Sequence, residues 1–107
     1  MRYEIKDYRA SDGSMLIEFG FCNLGLLKGW RIYIHEDIDY EGKNTSGHAT
    51  HRLHYKGDTH SCICWKGKIR NIDEAKAIAK LWADCTSLYI KGEGDFDTIA
   101  RRLMNKK

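Results

Sequence analysis

Two periodicities divide this chain, and the change from one to the other is what most restricts its fold. Over the first two-thirds, apolar residues alternate with period two, the pattern of half-buried strands. Over the last third they recur every three or four residues, the pattern of an amphipathic helix. The clearest segment is NIDEAKAIAKLWADCTSLYIKGEG, residues 71–94. Ala75, Ile78, Trp82, Cys85 and Tyr89 fall on one stripe, which Leu81 and Leu88 widen. Asn71 with Glu74 three residues on reads as a capping box, and Gly92 as a left-handed stop. DFDTIARRLMNKK predicts a short second helix. Its inward face is Phe96, Ile99, Ala100 and Leu103, and its cap is Asp95 or Asp97. Arg101, Arg102, Lys106 and Lys107 sit at its negative end.

The strand region reads in pieces. YEIKDYR puts Tyr3 and Ile5 on one face and Glu4 and Lys6 on the other. SDGS is a turn, and MLIEFGFC places Ile17, Phe19 and Phe21 together. WRIYIH is a third strand, with Trp30, Ile32 and Ile34 on one side. Residues 36–47 are polar and acid-rich and predict a long loop. Residues 48–65, HATHRLHYKGDTHSCICW, predict a hairpin turning at Gly57, Asp58 and Thr59. Two registers compete. A two-residue turn puts Leu53 on the same face as Cys62. A three-residue loop sets Tyr55 and Leu53 beside Ile63 and Trp65. The second gives one coherent apolar face and is the expected one, because burial specifies register. The expectation is a single α+β domain over residues 1–107, β-rich over 1–67 and helical over 71–107. An antiparallel sheet of about five strands carries the long helix on one face, and the short terminal helix closes an end.

Bulk properties bound the function. The chain has 107 residues, enough for one core, and no apolar run long enough to cross a bilayer. Its start alternates and carries acids, unlike a signal peptide, so a cytoplasmic protein with reduced thiols is expected. The formal charge of +3 is mildly basic, short of a committed nucleic-acid binder. There is no proline, so turns fall to Gly, Asp, Asn and Ser.

Four groups of residues carry candidate chemistry. The first is a metal site at His54, His60, Cys62 and Cys64. Zinc needs convergent Cys and His ligands, and alternate residues on a strand lie about 6–7 Å apart. Small buried thiols and surface imidazoles explain the same residues, so no metal and no cofactor is expected. A cysteine nucleophile at Cys62 or Cys64 beside His54 would need a lowered pKa, and mid-strand is a poor place for one. The acids Glu36, Asp37, Asp39 and Glu41 lack the order of a calcium loop. They read as a solvated loop or as an acidic tip for a basic partner. The cations Lys66, Lys68, Arg70, Arg101 and Arg102 are the candidate contacts for nucleic acid. Finally, NLGLLKG sets Leu24, Leu26 and Leu27 in a glycine-bounded loop, where they either dock onto a partner or plug the core.

THRLHYKGDTHSCICWKGKIRNIDEAKAIAKLWADCTSLYI, residues 50–90, resembles a module of small accessory proteins carried on plasmids and conjugative elements of Gram-positive gut bacteria. The resemblance rests on Thr50-His51-Arg52-Leu53, Ile63-Cys64-Trp65, Gly67-Lys68 and EAKAIAKLWAD. Some small proteins of such elements are anti-CRISPR inhibitors that bind an effector nuclease. The resemblance thus implies an inhibitor and assigns no residue a role. The leading expectation is a non-enzymatic protein that binds a protein partner through Leu24, Leu26 and Leu27 with Glu36, Asp37, Asp39 and Glu41. That partner is an effector nuclease if the resemblance holds. A nucleic-acid-binding accessory protein is the alternative, and a zinc-binding protein stands behind it. No membrane partner is expected. An uncovered sheet edge leaves monomer and homodimer both open.

Overall fold

The structure is a computed structural model that describes residues 3–105. Five strands form one antiparallel sheet: β1 (Tyr3–Arg9), β2 (Leu16–Asn23), β3 (Trp30–Ile34), β4 (Arg52–Leu53) and β5 (Cys62–Ile63), in the order β1-β2-β3-β5-β4. Three helices accompany it: α1 (Gly47–Thr50), α2 (Ile72–Ile90) and α3 (Phe96–Met104). The α+β arrangement expected from the periodicities is therefore the observed one.

The two faces of the sheet differ. Ile17, Phe19, Phe21, Ile32, Ile34 and Ile63 point to one side and are buried there against Ala75, Ile78, Ala79, Trp82, Cys85 and Tyr89 of α2. The expected stripe is thus the buried one. Each Ile or Phe removed from water on this face contributes roughly 1.5–3 kcal/mol. Trp82, 2% exposed, meets Phe19 edge-on at 6.0 Å. Its indole Nε1 donates to the Thr50 carbonyl at 3.1 Å, so the polar end of the largest core side chain is satisfied. Among the described residues no helix packs on the other sheet face. That face carries Tyr3 and Ile5 of β1, Glu18, Gly20 and Cys22 of β2, and Arg31 and Tyr33 of β3, with His35 just beyond β3.

The ends of α2 follow the sequence closely. Asn71 Oδ1 accepts from the Glu74 amide at 2.8 Å. The Glu74 carboxylate reaches back one residue further than a standard box and accepts from the Arg70 amide at 2.8 Å. Gly92, at φ 84°, lets the Glu93 amide turn back to the Leu88 carbonyl. Asp95 caps α3 through the Thr98 amide at 2.8 Å, and Phe96 and Ile99 are buried. Arg101 and Arg102 occupy its last turn. Lys106 and Lys107 lie outside the described residues.

The hairpin expected at 48–65 is corrected in three ways. Its first arm begins as a helical turn: Ser46 caps α1 through the Ala49 amide, and His51 closes it in the left-handed region at φ 54°. Only two residues per strand then pair. Their register is Arg52 with Ile63 and Leu53 with Cys62, the one set aside in favour of the three-residue loop. The reason is side-chain satisfaction on the core side. Ile63 turns to α2, and Arg52 opposite it is tolerated there because its guanidinium donates to Thr50 Oγ1 and the Thr45 carbonyl, both at 2.8 Å, and lies over the Tyr40 ring. Apolar alternation counts Arg52 against that face and cannot see these partners. Tyr40 is a core residue inside the acidic connection, 3% exposed and edge-on to Tyr89. Tyr89 donates to the Asn44 carbonyl at 2.7 Å, so this connection is pinned to α2 at two points.

Candidate functional site

The loop 24–29 is braced and its tip is bare. Gly25 and Gly29 adopt positive φ, and the loop closes through Leu24 N–H to the Gly29 carbonyl at 2.8 Å and Gly29 N–H to the Gly25 carbonyl at 2.9 Å. Asn23 Oδ1 accepts from the Gly25 amide at 2.9 Å. At Gly29 a β-carbon would run into the Ile69 carbonyl, which already accepts from the Trp30 amide. A glycine is required there twice over, for conformation and for space. The outcome is that Leu26 and Leu27 stand 92% and 90% exposed, while Leu24 is half-buried at the base. The loop therefore does not plug the core. Lys68 donates to the Leu26 carbonyl at 3.3 Å, and Lys68 and Arg70 border the same depression as Leu26. Lys28 follows the tip and is exposed. Two cations first considered for nucleic acid thus flank the leucines.

The acids lie elsewhere. The leucine loop precedes β3 and the acidic segment follows it, so a five-residue strand of about 16 Å separates them. Within that segment Glu36 accepts from the Glu18 amide at 3.3 Å, and Asp39 accepts from the Glu41 amide at 2.9 Å. Asp37 is exposed. The seven residues expected to form one partner surface are therefore divided between opposite ends of the sheet. The five cations are divided as well. Lys68 and Arg70 stand by the tip, Lys66 and Arg101 line a pocket near α3, and Arg102 reaches Glu93 at 3.4 Å.

The histidines and cysteines do not converge. Among the described residues no three His, Cys, Asp or Glu side chains form a metal-holding group. His54 donates to the Asp58 carbonyl at 2.8 Å, and His60 stacks on His35 at 4.4 Å. Cys62 is buried, which raises its thiol pKa, while Cys64 is exposed. Sequence reasoning missed a chain on the open sheet face. Glu18 Oε2 lies 2.9 Å from His35 Nδ1, and His35 Nε2 lies 2.5 Å from the Tyr3 hydroxyl. A ring whose Nδ1 donates to the carboxylate leaves Nε2 to accept from the Tyr3 hydroxyl. Burial raises the Tyr3 hydroxyl above the usual tyrosine range, so the phenol keeps its proton. This chain orients Tyr3 over the sheet.

A cavity of about 310 Å³ opens between α2, α3 and residues 63–66. Trp82, Cys85 and Phe96 form its floor, and Cys64, Lys66 and Arg101 stand near its mouth. His51 closes one side, its ring stacked on Phe96 at 4.6 Å and its Nε2 2.8 Å from Asp97 Oδ1. Nothing in the spacing of His51, Cys64 and Asp97 marks this grouping, which exists only because α3 folds back onto the β4–β5 region.

Fold and site together define a small α+β module with one covered sheet face, a projecting apolar loop and one apolar pocket among its surface features. Comparison with known protein families, with curated proteins and with solved structures finds no match for the chain.

Proposed function

We propose that this protein is a small non-enzymatic binding module that acts by protein–protein contact, with Leu26 and Leu27 as its anchor. One observation carries the reading: two adjacent leucines almost fully exposed at the tip of a loop whose backbone is internally bonded. Folding gains nothing from these side chains, whereas burying both in a partner is worth roughly 3–6 kcal/mol. The bracing matters as much as the exposure, because a loop already held in shape has less ordering entropy to lose on docking. Lys28, Lys68 and Arg70 around the tip favour a partner pocket rimmed by carboxylates and speed its approach.

The resemblance to mobile-element proteins adds an inhibitor role and an effector nuclease as partner class. The positive rim bears on where such an inhibitor would sit. It suits an acidic, protein-facing surface of the effector and not its cationic nucleic-acid channel. Glu36, Asp37, Asp39 and Glu41, at the far end of β3, would then be a second contact reached only by a large partner. The test is affinity capture from the native host with the wild type and with Leu26→Asp/Leu27→Asp. The expected result is a captured protein that disappears with the variant while the melting temperature stays unchanged. Capture of the same proteins by both, or binding of the wild type to anionic vesicles with no protein captured, overturns the reading.

A further inference from the structure

We propose that the cavity beneath α3 binds a small apolar carboxylate, its chain resting on Trp82 and Phe96 and its head between Lys66 and Arg101. The cavity is floored by the core itself, since Trp82, Cys85 and Phe96 are all buried residues. Its volume of about 310 Å³ lies at the low end of the range for small-molecule sites. At about 30 Å³ for each water-sized group, it accommodates on the order of ten heavy atoms.

The charges at the mouth select the head group. One carboxylate, Asp97, stands there, and it is engaged by His51 at 2.8 Å. The Arg101 guanidinium makes no hydrogen bond or salt bridge with the described residues. Lys66 likewise has no such partner among them. Two cations without a bonded anion over an apolar floor favour an amphiphile with one negative end. A neutral or cationic head gains nothing from them. This site lies apart from the leucine tip, so the two proposals stand or fall separately.

Octanoate, with ten heavy atoms, is the probe, and octanol and octylamine are the comparators. Trp82 on the floor and Trp65 on the wall report binding by fluorescence, and Cys64 at the mouth reports it by protection from alkylation. Octanoate should give a saturable fluorescence change and slow the alkylation of Cys64. Octanol should bind roughly ten-fold or more weakly, and octylamine more weakly still. Lys66→Glu/Arg101→Glu, two surface changes, should weaken octanoate about ten-fold and leave octanol unaltered. Leu26→Asp/Leu27→Asp should bind octanoate as the wild type does. No saturable change below the micellar range overturns the proposal. So does equal binding of octanol and octanoate, or octanoate binding indifferent to both charge reversals.

Discussion

Gly20 lies directly beneath the Tyr3 side chain: a β-carbon at position 20 would overlap the Tyr3 phenol and crowd His35 Nε2. Gly20 is not at positive φ, so alanine can adopt its backbone conformation without strain. The glycine is there for space alone. Gly20→Ala should displace Tyr3 from His35, losing a hydrogen bond and a ring contact worth about 1 kcal/mol each, for a net cost of about 1 kcal/mol once the backbone gain of alanine is set against them. In a Tyr3→Ala background the obstacle is gone. The same change should then stabilise by about 0.5–1 kcal/mol, because alanine loses less backbone entropy than glycine in a strand. Urea unfolding of the four proteins in this cycle checks it, and the reversal of sign is the decisive feature.

The relation between Gly20 and Tyr3 also illustrates what can be read in the sequence. The parity of Ile17, Phe19 and Phe21, the stripe through Trp82 and the caps at Asn71, Gly92 and Asp95 depend on residues near in sequence, and each appears as expected. The β4–β5 register depends on Arg52 finding Thr50, Thr45 and Tyr40, which no periodicity encodes. The exposure of Leu26 and Leu27 was legible as an alternative, and the bracing bonds settle that they point outward. The pocket was not legible. It needs α3 packed back on His51, a contact across about half the chain that local pattern cannot supply.

Asp12 should give the stability an acid-side dependence. The Lys91 ammonium at 2.7 Å, then the Ser87 hydroxyl and the Ser14 amide, hold its carboxyl far below the usual aspartate range. A carboxyl depressed in the folded state stabilises above its unfolded pKa of about 4, and that contribution is lost as the pH falls below it. The site is partly exposed, so screening reduces its worth at neutral pH to about 1–2 kcal/mol. Asp12→Asn should cost that much at pH 7. The gap between the two proteins should narrow by about 1 kcal/mol at pH 3, because the unfolded wild type then takes up a proton that the folded one refuses. Equal gaps at both pH values in urea unfolding would count against the assignment.

Asn71→Ala should destabilise by about 1 kcal/mol, through loss of the bond from the Glu74 amide at the start of α2. Asn71→Asp retains an acceptor and adds a negative charge at the positive end of the helix, so it should be neutral or stabilising. Thermal unfolding distinguishes them. Equal losses would mean that the asparagine acts through its amide nitrogen and not through Oδ1.

The four cysteines should separate into one fast and three slow thiols. No disulfide joins them among the described residues. Cys22, Cys62 and Cys85 are buried, and Cys64 is exposed at the pocket mouth. Burial, with Asp84 nearby, pushes the Cys85 thiol up to about 12, so at pH 8 it is neither ionised nor reachable. Cys62 is raised by burial in the same direction. A thiol-specific disulfide reagent at pH 8 should therefore consume one equivalent quickly. The remaining three should react roughly a hundred-fold or more slowly, at the rate set by local opening of the structure. Cys64→Ser should remove the fast phase and leave the slow one intact. A fast phase that survives this substitution would place one of the other three thiols at the surface, and with it would fail the packing of α2 and β5 on which the pocket floor depends.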